Sequence, residues 1–178
     1  MTQRPEDAIK CVDKGLVCLV DSMGGDGAIV QAARVSYGKG TSKMSQDRGL
    51  IRYLMRHRHT TPFEMVEFKF HCKMPIFVAR QWVRHRTANI NEYSLRYSEA
   101  RDEFYYPELE NIQFQSSLNK QGRSGEVPPE LKQKVLDYFK ENSERSFALY
   151  QKLNKAGLAR ELARSLLPVN IYTEWYWK

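Results

Sequence analysis

RQWVRHRTANINEYSLRYSEAR, residues 80–101, decides how the rest of the chain is read. It gathers Arg80, Arg84, Arg86, Arg96 and Arg101 with His85, Asn91, Glu92 and Ser94. Guanidinium forks bind phosphate oxygens in pairs, so this density of donors suits a multiply charged anion. Upstream, Pro75 opens the apolar run IFVAR and suits the first position of a helix. A helix from Pro75 to about His85 would set Gln81, Arg84 and His85 on one face. A helix with Ile76, Phe77, Val78, Ala79, Trp82 and Val83 around it is expected to lie in a core or an interface. Buried arginines need partners, and a bound anion supplies one. Beyond the polar TANIN, the segment EYSLRYS reads as a short strand. Alternation would place Ser94 and Arg96 on one face and Leu95 and Tyr97 on the other. A solvated salt-bridge face with Glu92, Glu99 and Asp102 is the competing reading. The residues themselves point to an anionic ligand and do not name its chemistry.

The 178 residues are enough for one domain, residues 1–178, with a sizeable core. Hydrophobic residues make up 42% and charged residues 28%, as in a globular protein. No apolar run approaches the about 20 residues of a membrane span. The polar start MTQRPEDAIK does not read as a signal peptide. Cys11, Cys18 and Cys72 form no CxxC pair, which favours a reducing cytoplasm over a disulfide framework. The net charge of +7 attracts polyanions, whether nucleic acid, membrane surface or small phosphorylated ligands.

Along the chain, GLVCLV at 15–20 reads as a first strand. The GGDG cluster reads as a turn, and Asp26 as the cap of a helix through AIVQAARVS. Residues 36–43 read as a polar loop. A second helix is expected from about Ser45 to Arg58, with Leu50, Ile51, Leu54 and Met55 on its apolar side. Pro62 disfavours helix at Thr61. His57 and His59 form an HxH pair without a third ligand at metal spacing, so no metal is assigned. Val66, Phe68, Phe70 and Cys72 then alternate with Glu67, Lys69, His71 and Lys73, which predicts a half-buried strand. Cys72 is expected to be inert packing and His71 to be solvated. Residues 99–128 read as a long surface loop, within which NKQGR is a candidate cover for a pocket. A long amphipathic helix is predicted over 129–155, broken by Gly157, with a further helix at LARELARSLL up to Pro168. Arg160 and Arg164 share a face of it. The aromatic ending IYTEWYWK reads as a buried segment. The fold class that follows is α/β (α+β): an antiparallel sheet flanked by helices, with a long C-terminal helical part.

RHRTANINEYSLR resembles the signature of flavin-dependent thymidylate synthases. That signature is an Arg-His-Arg triplet followed after seven residues by Ser, with Asn-Glu between and Arg two positions on. Arg84, His85, Arg86, Asn91, Glu92, Ser94 and Arg96 match it. Asn89 stands where Ser is frequent, and Leu95 where Gly is common. HTTPFE at His59–Glu64 and ARSLLPVNIYT at Ala163–Thr173 agree in order and spacing, so the resemblance covers essentially the whole chain.

The resemblance implies reductive methylation of dUMP to dTMP. Methylenetetrahydrofolate would supply the carbon, NADPH the hydride, and FAD would carry it. It assigns Gln81, Arg84, Glu92, Ser94, Leu95, Arg96 and Arg164 to dUMP. It assigns His59, Thr61, Arg84, His85, Arg86, Asn91 and Glu92 to the flavin. Arg84, His85 and Ser94 are the candidate catalytic groups, with Ser94 as a hydrogen-bond donor rather than a nucleophile, because no orienting Asp is evident beside His85. A homotetramer with active sites between subunits is implied, with no nucleic-acid or membrane partner. Family members continue beyond IYTEWYWK, so a missing C-terminal segment is expected, with the fold kept and turnover in question. The rivals are a basic nucleic-acid-binding module, in which Trp82, Tyr93 and Tyr97 would stack on bases, and a non-catalytic structural subunit.

Overall fold

The alternating segment predicted at 66–72 becomes the strand on which the sheet is built. In the computed structural model, which describes residues 7–35 and 44–178, β3 (Glu67–Pro75) pairs with a strand on each side. The strands β1 (Ile9–Cys11) and β2 (Gly15–Met23) lie on one side. On the other lie β7 (Tyr172–Trp177) and the edge strand β4 (Ile90–Glu92). The order is β1-β2-β3-β7-β4, and every pairing is antiparallel. A bulge at Val20 shifts the β2–β3 register between Leu19↔Phe70 and Asp21↔Lys69. The aromatic ending is thus an inner strand, and its Trp175 is buried.

Helix α1 (Asp26–Arg34) follows a turn at Gly24, whose φ of 81° needs glycine. A Cβ there would also meet Met65 O at 2.5 Å. Gly25 occupies the cap position and Asp26 the first helical position, where its charge still complements the helix dipole. Arg34 pairs with Asp47 of α2 (Met44–Arg56) at 3.2 Å. In α2 Leu54 is buried, whereas Met55 is exposed and not on the packed side as expected. Residues 36–43 lie outside the described residues.

Helix α3 (Ile76–Trp82) is shorter than predicted. Pro75 closes β3 and caps α3 rather than opening it. Ile76 N–H and Phe77 N–H donate to Ile171 O and Val169 O, so the helix start is fixed by strand-like backbone bonds. Only Ala79 of α3 is buried; Phe77 and Val78 are exposed, as is Val83 beyond its end. The inner side packs Ala79 and Trp82 on Cys72, Met74 and Trp175 of the sheet. Along β3 the alternation holds in part. Phe68 is half exposed, Lys73 is buried, and His71 pairs with Glu174 instead of being solvated.

Residues 99–128 contain more structure than a loop. Phe104 bridges to Ile171 and is buried, and β5 (Gln113–Gln115) and β6 (Arg123–Glu126) form a separate hairpin around NKQG. Helix α4 (Pro129–Lys155) has the predicted bounds. Its Phe147 and Tyr150 pack with Phe104, Ile171 and Ala163 of the short α5 (Arg160–Ala163), forming a second core beside the sheet. Tyr138 and Leu131 of α4 stay exposed. No described helix is long and apolar enough to cross a membrane.

Candidate functional site

Arg84 to Arg101 runs along the β4 edge of the sheet, and its signature residues fall into three neighbourhoods. The first follows α3. Arg84 N–H donates to Gln81 O at 3.3 Å and His85 N–H to Trp82 O at 3.0 Å, so two tight turns replace the predicted helical continuation. Gln81, Arg84, His85 and Arg86 are all exposed. Among the described residues, none of the three basic side chains has a carboxylate partner. Arg86 and Asn89 line an open depression of about 490 Å³, with Glu64, Phe68 and Trp177 on its other sides. Reciprocal backbone bonds of 2.9 Å between Asn89 and Lys178 tie this loop to the end of β7. The depression brings the HTTPFE turn, through Glu64, to the Arg-His-Arg loop. Thr61 opens that turn (Thr61–Met65) and is exposed. His59 is also exposed; its ring lies 6.0 Å from Tyr53 and 6.2 Å from His57.

The second neighbourhood is β4 itself. Asn91 and Glu92 line a smaller depression of about 240 Å³ with His71, Tyr93, Glu174 and Tyr176. Glu92 Oε1 accepts the Thr173 hydroxyl at 2.6 Å, so its contact is a neutral donor on β7. Glu174 is bidentate: Oε1 accepts from Arg101 at 2.6 Å, and Oε2 lies 3.1 Å from His71 Nε2.

The third is a turn where a strand was expected. Ser94 O accepts from Tyr97 N–H and Ser98 N–H, and Ser94 Oγ accepts from Arg96 N–H at 3.3 Å. Ser94 and Arg96 therefore share a turn and not a strand face; Leu95 is half-buried in it. The backbone N–H groups of Ser94 and Leu95 make no hydrogen bond among the described residues. Arg96 pairs with Glu161 of α5 at 3.2 Å. Arg160 donates to Tyr97 O at 3.2 Å and lies 3.7 Å from Glu99. Arg164 is half-buried just past the end of α5, and no hydrogen bond or ion pair joins its side chain to this turn among the described residues.

Sequence reading missed Glu161, Thr173 and Glu174. Glu174 carried one signal: it is the only carboxylate in a strand otherwise made of Thr173 and four aromatic residues. Away from the edge, burial pushes the Cys72 thiol up to about 11, which fits inert packing. Burial and a hydrogen bond donated to Asp13 raise the Tyr172 hydroxyl.

An antiparallel sheet with an arginine-histidine loop and an arginine-bearing turn along one edge defines an α+β domain that gathers basic side chains at that edge. The chain belongs to the thymidylate synthase complementing protein family, whose model matches residues 18–178. A flavin-dependent thymidylate synthase of Rickettsia bellii is 55% identical over 97% of this chain and 63% of its own length. One from Ehrlichia ruminantium (strain Gardel) is 58% identical over 95% and 57%. The chain thus spans about three fifths of the curated relatives it matches. Among solved structures, a UMP/dUMP methylase PolB from Streptomyces cacaoi bound with 5-Br dUMP aligns with a TM-score of 0.82 and 37% identity, covering 95% of this chain and 74% of that one. The same enzyme bound with 5-Br UMP gives 0.81 and 39%, covering 92% and 70%.

Proposed function

We propose that the whole protein methylates dUMP reductively to dTMP, with methylenetetrahydrofolate as carbon donor, NADPH as reductant and FAD as cofactor. One observation carries the reading. Arg84, His85 and Arg86 stand exposed, without a carboxylate partner among the described residues, and Arg86 lines a depression with an aromatic wall. An unpaired guanidinium next to Phe68 and Trp177 fits a dinucleotide that brings phosphates and a planar ring system together. When bound, FAD would carry the hydride from NADPH to the one-carbon unit. His59, Thr61, Arg84, His85, Arg86, Asn91 and Glu92 would hold it.

Gln81, Ser94, Leu95, Arg96 and Arg164 would hold dUMP, with Arg84 and Glu92 shared by both sites. Arg96 and the free N–H groups of Ser94 and Leu95 supply donors for the phosphate. Arg84 would supply positive charge, and His85 a hydrogen-bonding group, to a uracil carbonyl as it gains electron density in the reaction. Ser94 Oγ has no base within hydrogen-bonding distance among the described residues, which supports its role as donor to the substrate. The exposed Phe77, Val78 and Val83 support a homotetramer with active sites shared between subunits. The free cysteines support a cytoplasmic location.

The test is to purify the full-length protein and this chain and record their absorbance with and without dUMP. A flavin spectrum altered by dUMP, and dTMP formed by the full-length protein from dUMP, methylenetetrahydrofolate and NADPH, are expected. Arg96→Lys should weaken dUMP binding at least tenfold, because an ammonium cannot reproduce the fork. A colourless full-length protein that instead binds oligonucleotides with steep salt dependence would overturn the proposal in favour of nucleic-acid binding.

A further inference from the structure

The turn that carries Ser94 and Arg96 is gripped at both ends by two adjacent residues of β7. At its start, the Thr173 hydroxyl donates to Glu92 Oε1 at 2.6 Å, and Tyr93 N–H donates to Glu174 O at 2.8 Å. At its far end, Arg101 donates to Glu174 Oε1 at 2.6 Å and lies over the Tyr93 ring at 5.6 Å. Glu174 does not pivot freely, because its second oxygen is held by His71 of β3 at 3.1 Å. The Glu174 side chain is 24% exposed and His71 21%, so these bonds are only partly open to competing water. Between the grips, the segment's own bonds are two accepted by Ser94 O, one accepted by Ser94 Oγ and one donated by the Tyr93 hydroxyl to Glu99 O at 2.9 Å; from outside β7, Arg160 donates to Tyr97 O and Ala100 N–H donates to the Tyr150 hydroxyl at 2.8 Å.

We propose that Glu174 is a positioning residue for the phosphate of the nucleotide, acting through Arg101 on the Ser94–Arg96 turn; this rests on the dUMP reading above. Glu174 lines one small pocket with Leu95 and Arg101, so in the dUMP reading it would lie near the phosphate, and its negative charge would by itself repel it. Arg101 cancels that charge and converts it into an anchor. Donors aimed at a phosphate lose much of their effect when displaced by about 1 Å, and a tether at both ends of a short turn prevents that displacement. Glu174 touches no reacting atom in this account.

The experiment measures binding of dUMP and of deoxyuridine, which lacks the phosphate, to the unsubstituted protein and to Glu174→Gln, Arg101→Ala and the double variant. Arg101 sits on an exposed segment, so its variant keeps the test valid if Glu174→Gln disturbs β7. The clamp predicts about tenfold weaker dUMP binding in either single variant, unchanged deoxyuridine binding, and no further loss in the double variant. Equal losses for both ligands would show a merely structural role and overturn the inference. Unchanged or tighter dUMP binding would overturn it too, since it would mean that Glu174 only repels the phosphate. If the unsubstituted protein binds no dUMP, the functional reading fails first and the clamp with it.

Discussion

Lys73 Nζ lies 2.8 Å from Glu103 Oε2, and the two groups sit in unequal surroundings. The lysine side chain is 2% exposed and the glutamate 29%. The ammonium also lies 5.5 Å from the centre of the Tyr172 ring. Removing the acid strands a buried charge, whereas removing the base leaves an acid that water can reach. Glu103→Ala should therefore cost about 3 kcal/mol and Lys73→Met distinctly less. Denaturant midpoints of the two variants check the asymmetry; equal losses would refute it.

Cys72 is fully buried and its thiol is pushed up to about 11 by burial, while Cys11 is only half-buried. At pH 8 about one Cys72 in a thousand would be thiolate, so native alkylation should spare it. Iodoacetamide followed by peptide mass spectrometry should label Cys11 first, and Cys72 only after denaturation. The same shift gives a sign for stability. In the unfolded chain the thiol ionises at its ordinary 9.0, so between about 9 and about 11 the unfolded state has lost a proton that the folded state keeps. Stability from this group is complete below pH 9 and is lost as pH rises through that window. Melting temperatures across the window should fall more steeply for the native protein than for Cys72→Ala.

Gly157 ends α4 with φ of 80°. Gly157 N–H donates to Asn154 O and Leu158 N–H to Leu153 O, which satisfies carbonyls of the last turn. An L side chain at that φ is strained, so Gly157→Ala should cost about 1 kcal/mol, visible as a lowered melting temperature. Nothing lies within 4 Å of the added Cβ, so a steric clash adds nothing to this loss.

Legibility followed the range of the interactions. Helix α4 could be read because its signals are local: Pro128–Pro129 before it, Gly157 after it, helical spacing between. The Arg84–Arg96 signature was legible for the same reason. Strand β4 was placed too far along, at EYSLRYS, because Ile90–Glu92 is a strand only through pairing with Trp175–Trp177, far away in sequence. Phe104 entered the core from an acidic segment because Ile171 bridges to it. Helix α3 reads as continuous to His85, yet the chain must turn after Trp82 to bring Asn89 against Lys178. The grips on Glu92 and Arg101 could not be anticipated either, since Thr173 and Glu174 lie in another element.

The place of β7 between β3 and β4 sets an order of events for a chain emerging from the ribosome. β1, β2 and β3 can zip together from neighbouring segments, but the second edge of β3 must wait for a strand roughly a hundred residues further on. During that interval the backbone of Phe70–Pro75 offers an unpaired template, and any other extended strand can take it. A pause in synthesis before Tyr172 would therefore favour association between partly made chains, and faster delivery of β7 would suppress it.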